Sequence, residues 1–188
     1  MSFDQLMIHH AAPTICGIKP SSLFSIKTTR FSQVQFEKWQ SDFKDKGIFF
    51  ERIKTSSECN TIFVFNYVWV EKILSNFLSS LYLSEKGYKM PGDVSYVVDQ
   101  IKTRMLYNKN FPHEVGLLLG YPLEDVIEFE KKCGKACKYC GLWKTYGDID
   151  NAKKCQCRYK SCSLMCEKWF DEGIDVFQII NKYKKEVA

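Results

Sequence analysis

Apolar residues recur along the chain with two different periods, which predict strands in some segments and helices in others. Short apolar or alternating runs bounded by turn residues are typical of strands. They lie at residues 5–10, 47–53, 61–67, 114–120 and 141–147. The polar stretch TSSECN separates the second run from the third, so we predict that these two strands pair as a hairpin.

Apolar residues recur at helical spacing in five further segments, which are 31–46, 69–84, 93–107, 149–170 and 175–186. After the strand predicted at 114–120, Tyr121 is the expected turn. Pro122 is then the first helical residue, a position where its missing N–H is not needed. This alternation favours an α/β fold with a mixed sheet of about five strands, packed with helices, and a helical C-terminus. Because no linker or repeat is visible, we expect residues 1–188 to form a single compact domain.

Composition narrows the class of protein. The chain has 188 residues, of which 45% are hydrophobic and 26% charged, as is ordinary for a globular protein. The most apolar stretch, 62–83, is interrupted by Glu71 and Lys72 and is too polar for a spanning helix. The start lacks the basic and apolar regions of a secretory signal. We therefore expect a cytoplasmic protein with no membrane partner, and nine cysteines that are mostly reduced.

Cysteines 133, 137 and 140 have the spacing C-x3-C-x2-C, by which one class of radical enzymes holds a four-iron cluster. Only 48 residues follow Cys140, too few for the barrel that such chemistry needs, so we reject the radical-enzyme interpretation. A zinc ion or a plain iron–sulfur cluster remains an alternative, since thiolates bind both. The candidate metal ligands are Cys133, Cys137, Cys140 and Cys162, and the cofactor is unknown.

A face of the last long helix competes with the metal hypothesis. On a helix that starts near residue 149, Cys155, Cys162 and Cys166 point in similar directions, and Cys157 points away. The same face collects Tyr159, Trp169 and Phe170. Because free cysteine is among the most buried residue types, this pattern favours thiols that pack in the core over thiols that bind a cofactor.

Four stretches of the chain resemble a family of bacterial proteins, found largely in anaerobes, whose domain has no assigned function. The stretches are HHAAPTICGIKPSSLF (9–24), FPHEVGLLLGYPLEDV (111–126), GLWKTYGDIDNAKK (141–154) and RYKSC (158–162). The resemblance implies one compact domain and transfers no activity. It also implies that Cys140 and Cys162 stand where the family commonly has cysteine, whereas Ala11 stands where a cysteine often follows the histidine.

Three residues form a candidate catalytic set. Cys16 near a helix start and His113 before a later strand follow the general plan of cysteine hydrolases, and His10 is a further candidate. The sequence shows no oxyanion-hole donor and no third partner for Cys16 and His113. Whether the protein is an enzyme stays open.

A basic stretch offers a third hypothesis. Residues 131–160 contain nine Lys or Arg and two Asp, which gives a net charge of +7. Such a stretch can bind an anion, although a solvated lysine-rich face is the more frequent meaning. The chain has no nucleic-acid-binding motif, which argues against nucleic acid. We favour a binding or accessory protein of anaerobic redox or metal metabolism. The alternatives are a small cysteine hydrolase that uses Cys16 and His113, and an anion or nucleic-acid binder that uses the basic stretch 131–160.

Overall fold

A computed structural model describes residues 1–108 and 110–187 of the chain. Within them the helices are α1 Phe3–Ile15, α2 Gln33–Lys44, α3 Tyr67–Ser75, α4 Phe77–Glu85, α5 Val94–Tyr107, α6 Val115–Leu118, α7 Leu123–Lys131, α8 Ile149–Asp171 and α9 Val176–Val187. The strands are β1 Ser21–Lys27, β2 Ile48–Thr55, β3 Cys59–Asn66, β4 Tyr139–Cys140 and β5 Lys144–Thr145. The fold is therefore a mixture of helix and sheet with a helical C-terminus, as predicted.

The chain divides into two compact units. The first unit comprises Met1–Asn66 and Arg158–Ala188, and the second comprises Tyr67–Cys157. The division falls inside α8. In the described part of the chain no helix is long and apolar enough to cross a membrane.

An antiparallel sheet of three strands lies in the first unit, with the order β1-β3-β2. Phe50 of β2 pairs with Val64 of β3, and Ser21 of β1 pairs with Phe65, so apolar side chains of β3 meet partners on both sides. The hairpin predicted between 47–53 and 61–67 is confirmed. The sequence predicted one mixed sheet of about five strands. The structure instead has this antiparallel sheet of three strands and a separate antiparallel pair, β4-β5, in the second unit.

Residues 5–10, predicted as a strand, belong to α1. Ser2 caps this helix: its hydroxyl accepts from the Gln5 N–H, and the Gln5 side chain accepts from the Ser2 N–H. The prediction was wrong because α1 is apolar and buried on most sides, so the sequence shows no helical period. The helix passes through Pro13 and ends at Ile15.

Residues 114–120 form no strand either. The apolar run becomes the short helix α6, and the chain turns at Gly120, whose φ of +83° suits glycine. An unbroken apolar run does not distinguish a buried strand from a buried helix, which explains this error. Pro122 is the N-cap of α7, one position before the first helical residue.

The remaining helices follow the predictions closely, apart from one interruption. The segments 31–46, 93–107, 149–170 and 175–186 correspond to α2, α5, α8 and α9. The segment 69–84 is divided into α3 and α4 at Asn76, whose side chain accepts from the Ser79 N–H and so starts a new helix. The strand predicted at 141–147 is reduced to β5.

Candidate functional site

Three cysteines from two distant parts of the chain meet in the first unit. Cys162 and Cys166 are one turn apart on α8, so their side chains lie on the same helix face. Cys16 directly follows α1, where it is the C-cap and its N–H donates to the Ala12 carbonyl at 2.8 Å. Gly17, with a φ of +79°, then turns the chain away from the helix axis. We call Cys16, Cys162 and Cys166 the thiol cluster.

The thiol cluster is compact and buried. The Sγ atoms of Cys16 and Cys166 are 3.7 Å apart, and all three sulfurs lie within 4.8 Å of one another. Cys16 is 3% exposed, and Cys162 and Cys166 are fully buried. Three buried sulfurs at these distances can share protons, form one disulfide, or bind one ion.

The surroundings of Cys162 favour its thiolate form. Hydrogen bonds from Cys16 and then Cys166 lower the pKa of Cys162 to about 4, against the opposing effect of burial. A hydrogen bond from Tyr183 and the positive charge of Arg158 act in the same direction. The hydrogen bonds to Cys162 and Cys166, together with burial, raise the pKa of Cys16.

The phenol of Tyr183 is a neutral neighbour of this charge. Tyr183 is 3% exposed, and burial followed by the charge of Cys162 raises its pKa to about 12. It therefore keeps its proton at neutral pH and is able to donate to the Cys162 sulfur. The cluster thus has a hydrogen-bond donor beyond its own three thiols, as buried metal ligands usually do.

The comparisons with known proteins identify a family. The model of the family described as "Protein of unknown function (DUF3793)" matches residues 7–180. The chain belongs to this family. Searches of curated proteins and of solved structures found no match. The resemblance to a family without an assigned function is therefore confirmed, and the site of this DUF3793 protein has to be interpreted from its own geometry.

Of the four predicted metal ligands, the structure places Cys162 in the thiol cluster. Cys133 and Cys140 are exposed and Cys137 is half-buried, and all three lie in the second unit. Among residues 1–108 and 110–187, the thiol cluster is the group of close ligands suited to a metal ion, and these three cysteines are not part of it. A metal role for Cys133, Cys137 and Cys140 stays a prediction.

The predicted catalytic residues lie in different surroundings. Cys16 is in the thiol cluster. His10 is on α1, where its ring stacks on Phe24 with centroids 4.6 Å apart. His113 belongs to the second unit, and its ring packs against Phe111 and Phe129 at 5.7 and 4.9 Å between centroids.

The buried face that the sequence predicted for the segment 149–170 lies on α8 of the DUF3793 chain. Tyr159, Cys162, Cys166 and Trp169 are buried, Cys155 and Phe170 are half-buried, and Cys157 is exposed. Sequence reasoning did not bring Cys16 to this face, although the four-residue spacing of Cys162 and Cys166 was visible. The missing contact joins residues 150 positions apart, and no local pattern reports a contact of that kind.

Proposed function

We propose that the protein binds a single thiophilic metal ion, Zn²⁺ as the first candidate, through Cys16, Cys162 and Cys166. Its role would be that of a binding or accessory protein in metal or redox metabolism. The observation that carries the proposal is the convergence of three buried sulfurs within 4.8 Å of one another. Thiolates are the preferred ligands of Zn²⁺ and of Cu⁺ among the common biological ions.

The spacing of the sulfurs suits one ion. Zinc–sulfur bonds of about 2.3 Å in a tetrahedral site place the sulfurs about 3.8 Å apart. The 3.7 Å between Cys16 and Cys166 is already close to that value. The third sulfur is within 4.8 Å of both, so a small side-chain movement would bring all three to bonding distance. A four-iron cluster would hold its ligands farther apart, which favours a single ion.

The charges of the cluster also suit a divalent ion. Three thiolates and Zn²⁺ together carry a charge of −1, and the guanidinium of Arg158 offers a compensating positive charge. Since Cys162 is the group with the lowered pKa, Cys16 and Cys166 are the thiols that must lose protons when the ion binds. Binding near neutral pH should therefore release protons.

Three protein ligands indicate a site with an exchangeable position. In the described residues the close ligand group contains three members. Structural zinc sites usually have four protein ligands, whereas sites that act on or exchange a ligand have three. Because the three sulfurs are buried, we infer that a small donor such as water completes the coordination.

A cysteine hydrolase receives less support. A nucleophilic cysteine needs access and a lowered pKa. Cys16 is 3% exposed and its pKa is raised by the neighbouring thiols and by burial. The same features are no obstacle to a metal ligand, because the ion itself displaces the thiol proton.

The test is a titration of the reduced protein with Zn²⁺ in competition with a chromophoric chelator, under anaerobic conditions. We expect about one equivalent to bind, and Co²⁺ in its place to show thiolate-to-cobalt charge-transfer absorption. Cys162→Ser should weaken binding by more than the roughly 10- to 100-fold that loss of an outer-shell partner causes. The matched control is Cys140→Ser, which removes an exposed thiol of the second unit and should leave the affinity unchanged.

Two outcomes would contradict the proposal. One is equal affinity in the wild-type protein and Cys162→Ser. The other is a brown protein containing several irons per chain, which would replace the single ion by an iron–sulfur cluster. Calorimetry in two buffers of different ionisation enthalpy counts the released protons and separates the thiol cluster from surface sites.

A further inference from the structure

The second unit contains a cavity of about 430 Å³. We call it the aromatic pocket. Its main lining residues are Phe111, His113, Tyr121, Phe129, Trp143 and Lys144. Cavities of roughly 300 to 1,000 Å³ with apolar walls and a few polar groups are typical of small-molecule sites.

Flat rings form the walls of the aromatic pocket. Tyr121 and Trp143 stack with their centroids 4.9 Å apart and an angle of 20° between their planes. The ring of His113 lies beside Phe129 at 4.9 Å. A planar ligand can therefore lie against aromatic rings, an arrangement that adds to the hydrophobic effect of burial.

Asp125 holds Trp143 in this wall. Both oxygens of its carboxylate already accept hydrogen bonds, so we assign it no direct contact with a ligand. It is 2% exposed, and its Oδ2 accepts from the Trp143 indole N–H at 2.8 Å. Its Oδ1 accepts from the N–H groups of Tyr146 and Gly147 at 2.7 and 2.9 Å. Among the described residues that line the pocket, Asp125 is the only one with a carboxylate. The three N–H donors stabilise its negative charge.

Lys144 supplies positive charge to the same cavity. Its Nζ donates to the Gly134 carbonyl at 2.6 Å, which fixes the ammonium group and leaves further N–H donors. His113 offers a second polar edge. With the Asp125 carboxylate surrounded by donors, the polar groups of the pocket complement a ligand that carries negative charge.

Apolar surface at the cavity is open to solvent. Phe111 is 48% exposed and Leu142 is 56% exposed, and both line the pocket. Large exposed apolar side chains around a cavity are typical of a surface that a ligand covers. Cys140, an exposed thiol, also lines the pocket and so serves as a reporter of its occupancy.

We propose that the aromatic pocket binds a small planar aromatic anion, with the ring between the aromatic walls and the acidic group at Lys144. The site shares no residue with the thiol cluster, so its test is separate from that of metal binding.

The experiment compares two fluorescent probes of nearly the same ring system. Anilinonaphthalene sulfonate is an aromatic anion, and N-phenylnaphthylamine lacks the sulfonate. We expect the anion to bind the native protein at about one site per chain. Lys144→Met should weaken this probe about tenfold, the effect of one charged hydrogen bond, and change the neutral probe less than about twofold. Lys135→Met is the matched control, since it removes an exposed charge outside the pocket lining.

A second measurement needs no variant. Saturation with the anionic probe should slow alkylation of Cys140 at least about fivefold, because the occupied pocket covers that thiol. Cys133, an exposed cysteine outside the lining, is the internal control and should react at its original rate. Equal binding of the two probes, an equal effect of Lys144→Met and Lys135→Met, or an unprotected Cys140 would each overturn the proposal.

Discussion

Cysteines in the two units have opposite surroundings. In the first unit Cys16, Cys162 and Cys166 are buried within 4.8 Å of one another. In the second unit Cys133 and Cys140 are exposed, although they are only seven positions apart. Closeness in sequence therefore did not bury these two thiols, whereas the tertiary fold brought Cys16 to two cysteines that are about 150 positions away. The difference shows that burial and direction, more than local density, decide what a thiol can do.

The largest expected effect is on thiol reactivity. With the native, reduced and metal-free protein, Cys133, Cys140 and Cys157 should react readily with iodoacetamide. The thiol cluster should react about a thousandfold more slowly, since the surrounding core must open first. Mass spectrometry of quenched samples measures each site, and the denatured protein, in which all nine cysteines react, is the control. Rapid labelling of Cys162 in the native protein would remove the contrast between the units.

Asp125 tests the second unit in a similar way. Asp125→Ala leaves three N–H donors without an acceptor, two of them buried and one half-buried, so we expect the free energy of unfolding to fall by about 3 to 4 kcal/mol. Asp99→Ala is the control: the Asp99 carboxylate is exposed and lies 3.5 Å from the Lys102 ammonium, so its loss should change stability by less than about 0.5 kcal/mol. Urea unfolding followed by circular dichroism measures both. Similar values for the two variants would mean that Asp125 does not anchor the aromatic wall.

The effect of Zn²⁺ on the free energy of unfolding distinguishes the two units further. Zn²⁺ at a free concentration 100 times its Kd should raise the free energy of unfolding by about 2.7 kcal/mol, because it binds the folded state. Cys16→Ser should lose this increase, and Cys137→Ser, altered in the second unit, should keep it. Urea unfolding with and without the ion measures the increase. If the increase disappeared only in Cys137→Ser, the metal site would lie in the second unit.

Much of the fold was predictable where one face of an element meets solvent. The hairpin of β2 and β3 and the helices α2, α5, α8 and α9 alternate polar and apolar positions at their own period, so they were identified. The helices α1 and α6 were not, because most of their residues are buried and the period is obscured. Burial on all sides removes the signal on which sequence reasoning depends.

The candidate site was predictable only in part, for a related reason. The helical period of α8 placed Cys162 and Cys166 on a buried face, which the structure confirms. Cys16 was singled out for a different chemistry, and Asp125 was not singled out at all. Both acquire their roles from partners more than 15 positions away, which depend on the tertiary fold.

The smallest effect concerns His10, where burial acts on a base instead of a thiol. Burial, and then the neighbouring His9, lower the pKa of His10 from 6.5 to about 4. Between these values the unfolded chain holds more protons than the folded one, so stability falls as the pH is lowered from 6.5 towards 4. Because the ring is partly exposed, we expect this loss to be only about 1 kcal/mol, below the full effect of the shift. His10→Phe keeps a ring against Phe24 and should flatten the difference between urea unfolding at pH 7 and at pH 5. If the wild-type protein and His10→Phe lose the same stability between pH 7 and pH 5, folding does not change the pKa of His10. Burial in the first unit would then affect this ring less than it affects the thiols.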